Sequence, residues 1–426
     1  MSKNKTLSAA KSAKNDEFYT QYADIQKEIN AYLDYDPDTF RGKTVLLPCD
    51  DPEWSKFTRF FAENFERLGL KKLISTSYAA ASKKIGELSH AEARRGGGRV
   101  QSLNAPSWYQ PSLFEQQSPH FDAKKTAVRG KIFVLDHDTN ANGRIDLDDL
   151  EWKYLEGDGD FRSEEVCRLR DEADVIVTNP PFSLFREFLA WILGDGVLAA
   201  KNAKDAKEFL IIGNMNATTT KDVFPLFMRN ALWMGESIHS GDREFGVPKE
   251  YPLDAAGWRI DGNGNHFIRV KGVRWFTNLE HGRRHQPLEL MSMEDNFRYS
   301  KHKEVRGIGY RHYDNFDALD VPYTDAIPAD YDGMMGVPVS FLDRYCPEQF
   351  EIVGITKTWF GAATKTYPEQ VQVDANGTRK TVTKLNDGAV LKINEPLHGA
   401  TYYEIGDDKF IQTYPRILIR ARREEK

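Results

Sequence analysis

Cysteine is scarce in this chain of 426 residues, with only Cys49, Cys167 and Cys346. They are odd in number and far apart, which excludes a disulfide framework and a thiolate metal centre and fits a reducing cytoplasm. Long apolar runs are missing too. No stretch approaches the ~18 residues needed to span a bilayer, so no membrane partner is expected. The opening MSKNKTLSAAKSAKNDE has no apolar segment of the kind a signal peptide needs. There is no internal repeat. The glycine-rich turn that usually follows the first strand of a nucleotide-binding α/β domain is also absent.

What remains is the composition of a soluble globular protein, 40% hydrophobic and 29% charged. The length accommodates two domains, or one with a large appendage. The net charge of −6 argues mildly against a nucleic-acid partner, but its distribution is more informative than its total. Between Lys271 and His312 there are nine Lys/Arg against five Asp/Glu, with four His besides. Acidic residues gather instead at Asp136–Asp174. A basic, DNA-facing surface on a neutral-to-acidic body is compatible with this pattern.

The stretch that organises the chain is Ala173–Leu189, ADVIVTNPPFSLFREFL. Val175, Ile176 and Val177 read as a buried strand. An amphipathic helix resumes through Phe185, Phe188, Leu189 and Ile192. Between them stands Asn179-Pro180-Pro181-Phe182. The prolines fix φ and supply no N–H, and Pro180 keeps Asn179 out of the helical region. The Asn side chain, the Pro180 carbonyl and the Phe ring are therefore held in fixed relation. Such a set suits methylation of an exocyclic amine on a planar base. Two acceptors, the Asn179 oxygen and the Pro180 carbonyl, bind the amine hydrogens and localise a delocalised lone pair, while Phe182 stacks on the ring. The alternative is a strand-ending turn with a core Phe. The strand before, the aromatic and the helix beyond favour the catalytic reading, and the tetrapeptide resembles the N/D-P-P-Y/F motif of amino-methyltransferases that use S-adenosylmethionine.

Residues 1–14 are expected to be a disordered tail. Asn15–Gln21 then reads either as a capped helix start or as an element whose Tyr19 and Thr20 touch a cofactor. Thr44–Leu47 is a strand ending in Asp50 and Asp51, with a helix from Glu53 to Leu68 behind it and Gly69 as its cap. This unit opens a doubly wound α/β sheet whose ligands sit at the carboxyl ends of the strands, although two solvated acids at a helix start would look the same. Leu73–Thr76 reads as the second strand, with no acid at its end to hold a ribose. Ala81–Ser118 is polar and reads as a loop region. After a strand at Lys131–Leu135, Asp138–Asp149 has the ligand spacing of a calcium loop. It ends in Asp instead of Glu and follows a strand, so an Asn/Gly-rich turn is the favoured reading. Gly157-Asp158-Gly159-Asp160-Phe161 is an acidic turn in which Asp160, ahead of Asp158, could accept from the adenine amine of S-adenosylmethionine, with Phe161 packing on its ring.

Lys207–Asn216 gives a strand whose Asn-rich end shares an edge with Asn179 if the sheet is parallel. His266–Val270 and Val273–Phe276 are expected to complete the sheet as a hairpin turning at Lys271-Gly272. Beyond residue 281 basic and aromatic residues interleave, as in Arg298, Tyr299, Lys301, Arg306 and Tyr310. That pattern suits phosphate tracking or simply a solvated face. Phe350–Ile355 and Ile417–Ile419 read as strands of a mainly β region.

In order along the chain, NDEFYTQ, LPCDDPEWSKF, GDGDFRSEE, VTNPPFSLFREFL, IGNMNA, WFTNL, YDNFDA, DYDGMMGVPVSFL and PEQFEIVGI resemble the motif series of the EcoRI-type adenine-specific DNA methyltransferase family. The resemblance covers roughly residues 15–420. It implies an α/β, Rossmann-like S-adenosylmethionine-dependent methyltransferase, with residues 15–280 as the catalytic domain and 281–426 as the DNA target-recognition region. Asn179, Pro180, Pro181 and Phe182 map to catalysis; Tyr19, Thr20, Asp50, Asp51, Asp160 and Phe161 map to the cofactor pocket. The implied substrate is duplex DNA with the target adenine flipped out, in a restriction-modification or solitary enzyme with a possible cognate endonuclease. Methylation of the cytosine amine is the nearest rival, which Asn179 in place of Ser disfavours. A non-catalytic DNA-binding scaffold and an RNA or protein amine methylase are the others.

Overall fold

Four runs rich in β-branched and leucine residues line up in parallel at the centre of the first sheet. The computed structural model describes residues 19–51, 55–79, 121–199, 207–239, 241–247, 257–395 and 399–422. The residue 1–14 tail and Ala81–Ser118 lie outside them. Two compact units are formed, one from residues up to 215 with 234–281, the other from 216–233 with 282 onward.

In the first unit the strands of four residues or more are β1 (Thr44–Leu47), β2 (Lys72–Ser77), β3 (Lys131–Leu135), β4 (Glu151–Tyr154), β5 (Val175–Thr178), β6 (Glu208–Asn214), β7 (Asp242–Val247), β8 (His266–Lys271) and β9 (Val273–Thr277). Those of four residues or more in the main sheet follow the order β4-β3-β2-β1-β5-β6-β9. The β2-β1-β5-β6 centre is parallel, and β3, β4 and β9 add antiparallel. Every residue of β1 and β5 is buried, as expected of strands covered on both faces. The fold is thus mixed α/β on a large sheet. Because β5 and β6 run parallel, Asn214 ends on the same edge as Asn179, as the sequence suggested.

Helix α1 (Tyr22–Tyr35) buries Ile25, Ile29 and Tyr32. Helix α2 (Lys56–Glu63) starts at Ser55, whose hydroxyl accepts from the Phe57 and Thr58 amides, a side-chain cap. The expected continuous helix to Leu68 is broken at Asn64. Its side-chain amide donates to the Phe60 carbonyl at 2.8 Å, competing with the helical ladder. One further turn, Phe65–Leu68, ends at Gly69 with φ 63°. Helix α3 (Glu164–Glu172) precedes β5, and α4 (Phe185–Ala199) follows it with Phe185, Phe188 and Leu189 buried.

The expected hairpin across Gly272 does not complete the main sheet. β8 pairs with β7 in a separate three-stranded sheet, and only β9 joins β6. Gly272, at φ 72°, turns the chain from one sheet to the other. The turn is pinned to the end of β6, where Asn214 Nδ2 donates to the Lys271 carbonyl at 2.8 Å and the Met215 amide to that of Gly272 at 2.7 Å.

The second unit is mainly β, with two five-stranded sheets. The strands expected at 350–355 and 417–419 are antiparallel neighbours in one of them, with Ile352 opposite Ile419. Within this unit Phe224 packs its ring edge toward Trp359 and Phe360, with centroids 6.2 Å apart in each pair. Among the described residues no helix is long and apolar enough to cross a membrane.

Candidate active site

β1 and β5 are paired only at Val45–Val175 and Leu46–Ile176. Toward the carboxyl edge a side-chain link continues where the ladder stops. Asp50, 5% exposed, accepts from the Thr178 hydroxyl through Oδ2 at 2.6 Å and from the Ser55 hydroxyl through Oδ1 at 2.6 Å. Its backbone is held as well: the Asp50 amide donates to the Thr76 carbonyl at 3.0 Å, and the Ser75 hydroxyl donates to the Asp50 carbonyl. The sequence indicated an acid at this strand end but not its hydroxyl partners.

Asn179 follows Thr178 directly. Its Nδ2 donates to Thr20 Oγ1 at 3.3 Å, which turns the amide oxygen away from Thr20. Thr20 is buried, and Tyr19 bridges to β7, exchanging backbone hydrogen bonds with Gly246 at 2.8 and 3.0 Å. The same strand supplies Phe245, which Phe182 meets nearly perpendicular at 6.3 Å between centroids. The small sheet therefore holds both the Tyr19-Thr20 element and the half-buried ring that ends the tetrapeptide. Behind it, Phe185 packs on Phe276 of β9 at 4.9 Å. Lys56, at the first position of α2, donates to Gln21 Oε1 at 2.9 Å. Burial, then Arg59, holds its ammonium below the usual lysine range. In the sequence Lys56 is an ordinary helix-start residue and carries no signal.

The acidic turn Gly157–Phe161 lies on the end of β2. The Ala79 amide donates to the Asp158 carbonyl at 2.7 Å, and Gly159, at φ 83°, sits where any Cβ would overlap the Ser77 carbonyl. Burial, then the nearby Asp158 carboxylate, raises the Tyr78 hydroxyl well above the usual tyrosine range. Arg162 clasps Asp160 through two nitrogens at 2.8 and 2.6 Å. Phe161 is buried, edge-on to Phe188 at 5.0 Å and to Trp191 at 5.5 Å. Asp51 is half-buried beside Asp50. Tyr19, Thr20, Asp50, Asp51, Asp160 and Phe161 thus lie at or next to the carboxyl ends of β1, β2 and β5.

The Asp138–Asp149 loop turns its carboxylates on its own backbone. Asp149 Oδ1 accepts from the Thr139 amide and hydroxyl, both at 2.9 Å, and from the Asn140 amide at 3.1 Å. Asp138 accepts from Asn142 at 3.3 Å and Gly143 at 2.7 Å. Among the described residues no group of three or more His, Cys, Asp or Glu is arranged to hold a metal.

A large mixed sheet with a rigid Asn-Pro-Pro-Phe corner at its carboxyl edge fits a methyltransferase-like enzyme. The sequence model of the family described as adenine-specific methyltransferase EcoRI matches residues 6–422. The chain is 37% identical over 354 residues to the type II methyltransferase M.EcoRI of Escherichia coli, covering 83% of this chain and 90% of that one. It is 31% identical over 346 residues to the type II methyltransferase M.MpnI of Mycoplasma pneumoniae, covering 81% and 83%. No solved structure matches it. The chain belongs to the EcoRI-type adenine-specific methyltransferase family and is an adenine-specific DNA methyltransferase.

Proposed function

We propose that this enzyme methylates the exocyclic N6 amine of adenine at a specific site in duplex DNA, with S-adenosylmethionine as donor, on a base flipped out of the helix. The observation that carries the reading is the state of Asn179. Pro180 stiffens it on one side, Thr178 is anchored to Asp50 on the other, and Thr20 sets its amide. Asn179 Oδ1 and the Pro180 carbonyl accept the two amine hydrogens, and Phe182 offers its ring to the base. Catalysis is then orientation and electrostatics, and the proton leaves an ammonium that is itself acidic. In this reading residues 15–280 are a Rossmann-like catalytic domain and 281–426 the target-recognition region, although residues 216–233 are grouped with the latter as one compact unit.

The donor set at the carboxyl edge fits S-adenosylmethionine. Asp51, Asp158 and Asp160 put acceptors beside β1 and β2, suited to a ligand with ribose hydroxyls, two amines and a sulfonium charge. Bound there, it would supply an electrophilic methyl group. Tyr19 and Thr20 close the pocket from the side of the small sheet, and Phe161 backs it from the core. The type II names of the relatives support a restriction-modification role, with a cognate endonuclease as partner.

Asn179→Ala should leave S-adenosylmethionine and DNA binding near parental while lowering methyl transfer by roughly 10²–10³-fold, the size of one lost polar transition-state contact. Parental turnover would remove Asn179 from the mechanism. Base-resolved sequencing of DNA from expressing cells should give N6-methyladenine at one motif; N4-methylcytosine would overturn the substrate.

A further inference from the structure

Asp50 was expected in the cofactor pocket. Its surroundings point elsewhere. The β1–β5 ladder ends at Leu46–Ile176, so past that point the two strand ends are joined through side chains. The join is the Thr178 hydroxyl on Asp50 Oδ2, and Thr178 is fully buried. Ser55 holds the other oxygen and, through the same hydroxyl, caps α2. The Asp50 carbonyl receives Ser75, which is itself hydrogen-bonded to Thr58 at 2.8 Å. Two hydroxyls, one from the end of β5 and one from the residue that caps α2, therefore meet on one buried carboxylate, and Ser75 of β2 holds the carbonyl of the same residue.

We infer that Asp50 is a positioning residue for Asn179, acting through Thr178, and not a ligand of the methyl donor. A carboxylate accepting short hydroxyl hydrogen bonds makes the strong, charge-assisted kind. It fixes the Thr178 side chain, and with it the peptide that carries Asn179. Asn179 must meet an amine hydrogen with ångström accuracy, and displacements of that size are enough to cost large factors in rate. The residue after Asn179 is proline, which donates no hydrogen bond, so the strand end depends on Thr178 for its lateral hold on β1. This inference rests on the reading of Asn179–Phe182 as the methyl-transfer site.

The decisive variant is Thr178→Val, which keeps volume and removes only the donor. Its kcat at saturating substrates should fall about ten- to a hundredfold, with the Kd for S-adenosylmethionine, from equilibrium binding, within about twofold of parental. Thr178→Ser keeps the donor and should recover most of the rate. Asp50→Asn should lower kcat too, and the double variant should lose no more than the worse single one, because both break one link. Parental kcat in Thr178→Val, or losses that multiply in the double variant, would overturn the inference. So would a fall in donor affinity matching the fall in kcat. If Thr178→Val does not fold, Thr178→Cys carries the same comparison with a weaker donor, an intermediate loss supporting the link and parental kcat overturning it. Asn179→Ala is measured alongside. If it keeps parental kcat, the site reading falls and the inference with it; if it alone loses rate, only the positioning role falls.

Discussion

Phe182 is held on one side by two prolines and on the other by the edge of Phe245, so its ring has little freedom before any base arrives. Base–aromatic stacking contributes ~1–3 kcal/mol. Phe182→Ala should destabilise the flipped state by that order, and Phe182→Tyr should be tolerated because it keeps the π-face. Fluorescence of 2-aminopurine at the target position, which rises as the base leaves the stack, reads this directly. The same rise and rate in Phe182→Ala would make the ring a core residue. At this scale the sequence was most legible where the backbone itself carries the message. Asn179-Pro180-Pro181 is stiff whatever surrounds it, and β-branched residues before it mark a strand. Asp50 was visible as an acid at a strand end, but its partner Thr178 lies 128 positions away. Only the β1–β5 adjacency brings the two together, and no local pattern encodes strand order.

Elements are tied by single buried groups whose chemistry sets how they respond to pH. Glu28 of α1 is fully buried. It accepts from the Glu236 amide at 2.8 Å, the Ser237 amide at 2.7 Å and the Tyr32 hydroxyl at 3.0 Å. Burial raises its carboxyl above the usual glutamate range, and the bonds from Ser237, Glu236 and Tyr32 only partly offset that. The folded state therefore holds the proton more tightly than the unfolded chain. Stability from this group is greatest below the ordinary glutamate value and declines as pH rises through the raised one. Glu28→Gln leaves an amide donor facing a backbone N–H, at a cost of about 1–3 kcal/mol. The loss should be larger near about pH 5 than near about pH 8, because the parent has shed part of its own stability by then. Urea unfolding at both pH values tests this, and an equal loss at the two would place the pH dependence elsewhere. The Asp138–Asp149 loop makes the opposite lesson. Its spacing matches a calcium loop, but its carboxylates already accept the loop's own amides. Calorimetry of the parent should give no calcium signal. A signal lost in Asp138→Ala with Asp149→Ala would restore the ion. Likewise, the two strands flanking Gly272 have the pattern of a hairpin, and only their pairing partners, β7 for β8 and β6 for β9, reveal that they belong to different sheets.

At the scale of the whole molecule, the second unit is built from two separate lengths of chain. Residues 216–233 contribute Phe224, Leu226 and Phe227, all buried, and Phe224 meets Trp359 and Phe360 more than 130 positions later. Arg284 lies over the Trp233 ring at 3.7 Å. A fragment of residues 282–426 alone should therefore expose this apolar surface, bind a hydrophobic dye and aggregate. Co-expression with a 216–233 peptide should reduce both effects, as read by dye fluorescence and size-exclusion chromatography. A monomeric, dye-silent 282–426 fragment would mean that the short segment is dispensable. The sequence was silent on this point, since apolar residues at helical spacing announce a buried face without naming the unit that buries it.

That arrangement bears on inheritance as well as folding. A single crossover downstream of residue 281 would bring in a new 282–426 but keep the old 216–233, leaving Phe224 to face side chains selected against a different partner. Exchanging the second unit between relatives takes three joints, at 215/216, 233/234 and 281/282. A single joint therefore cannot carry the second unit from one such enzyme to another; both lengths of chain have to travel together.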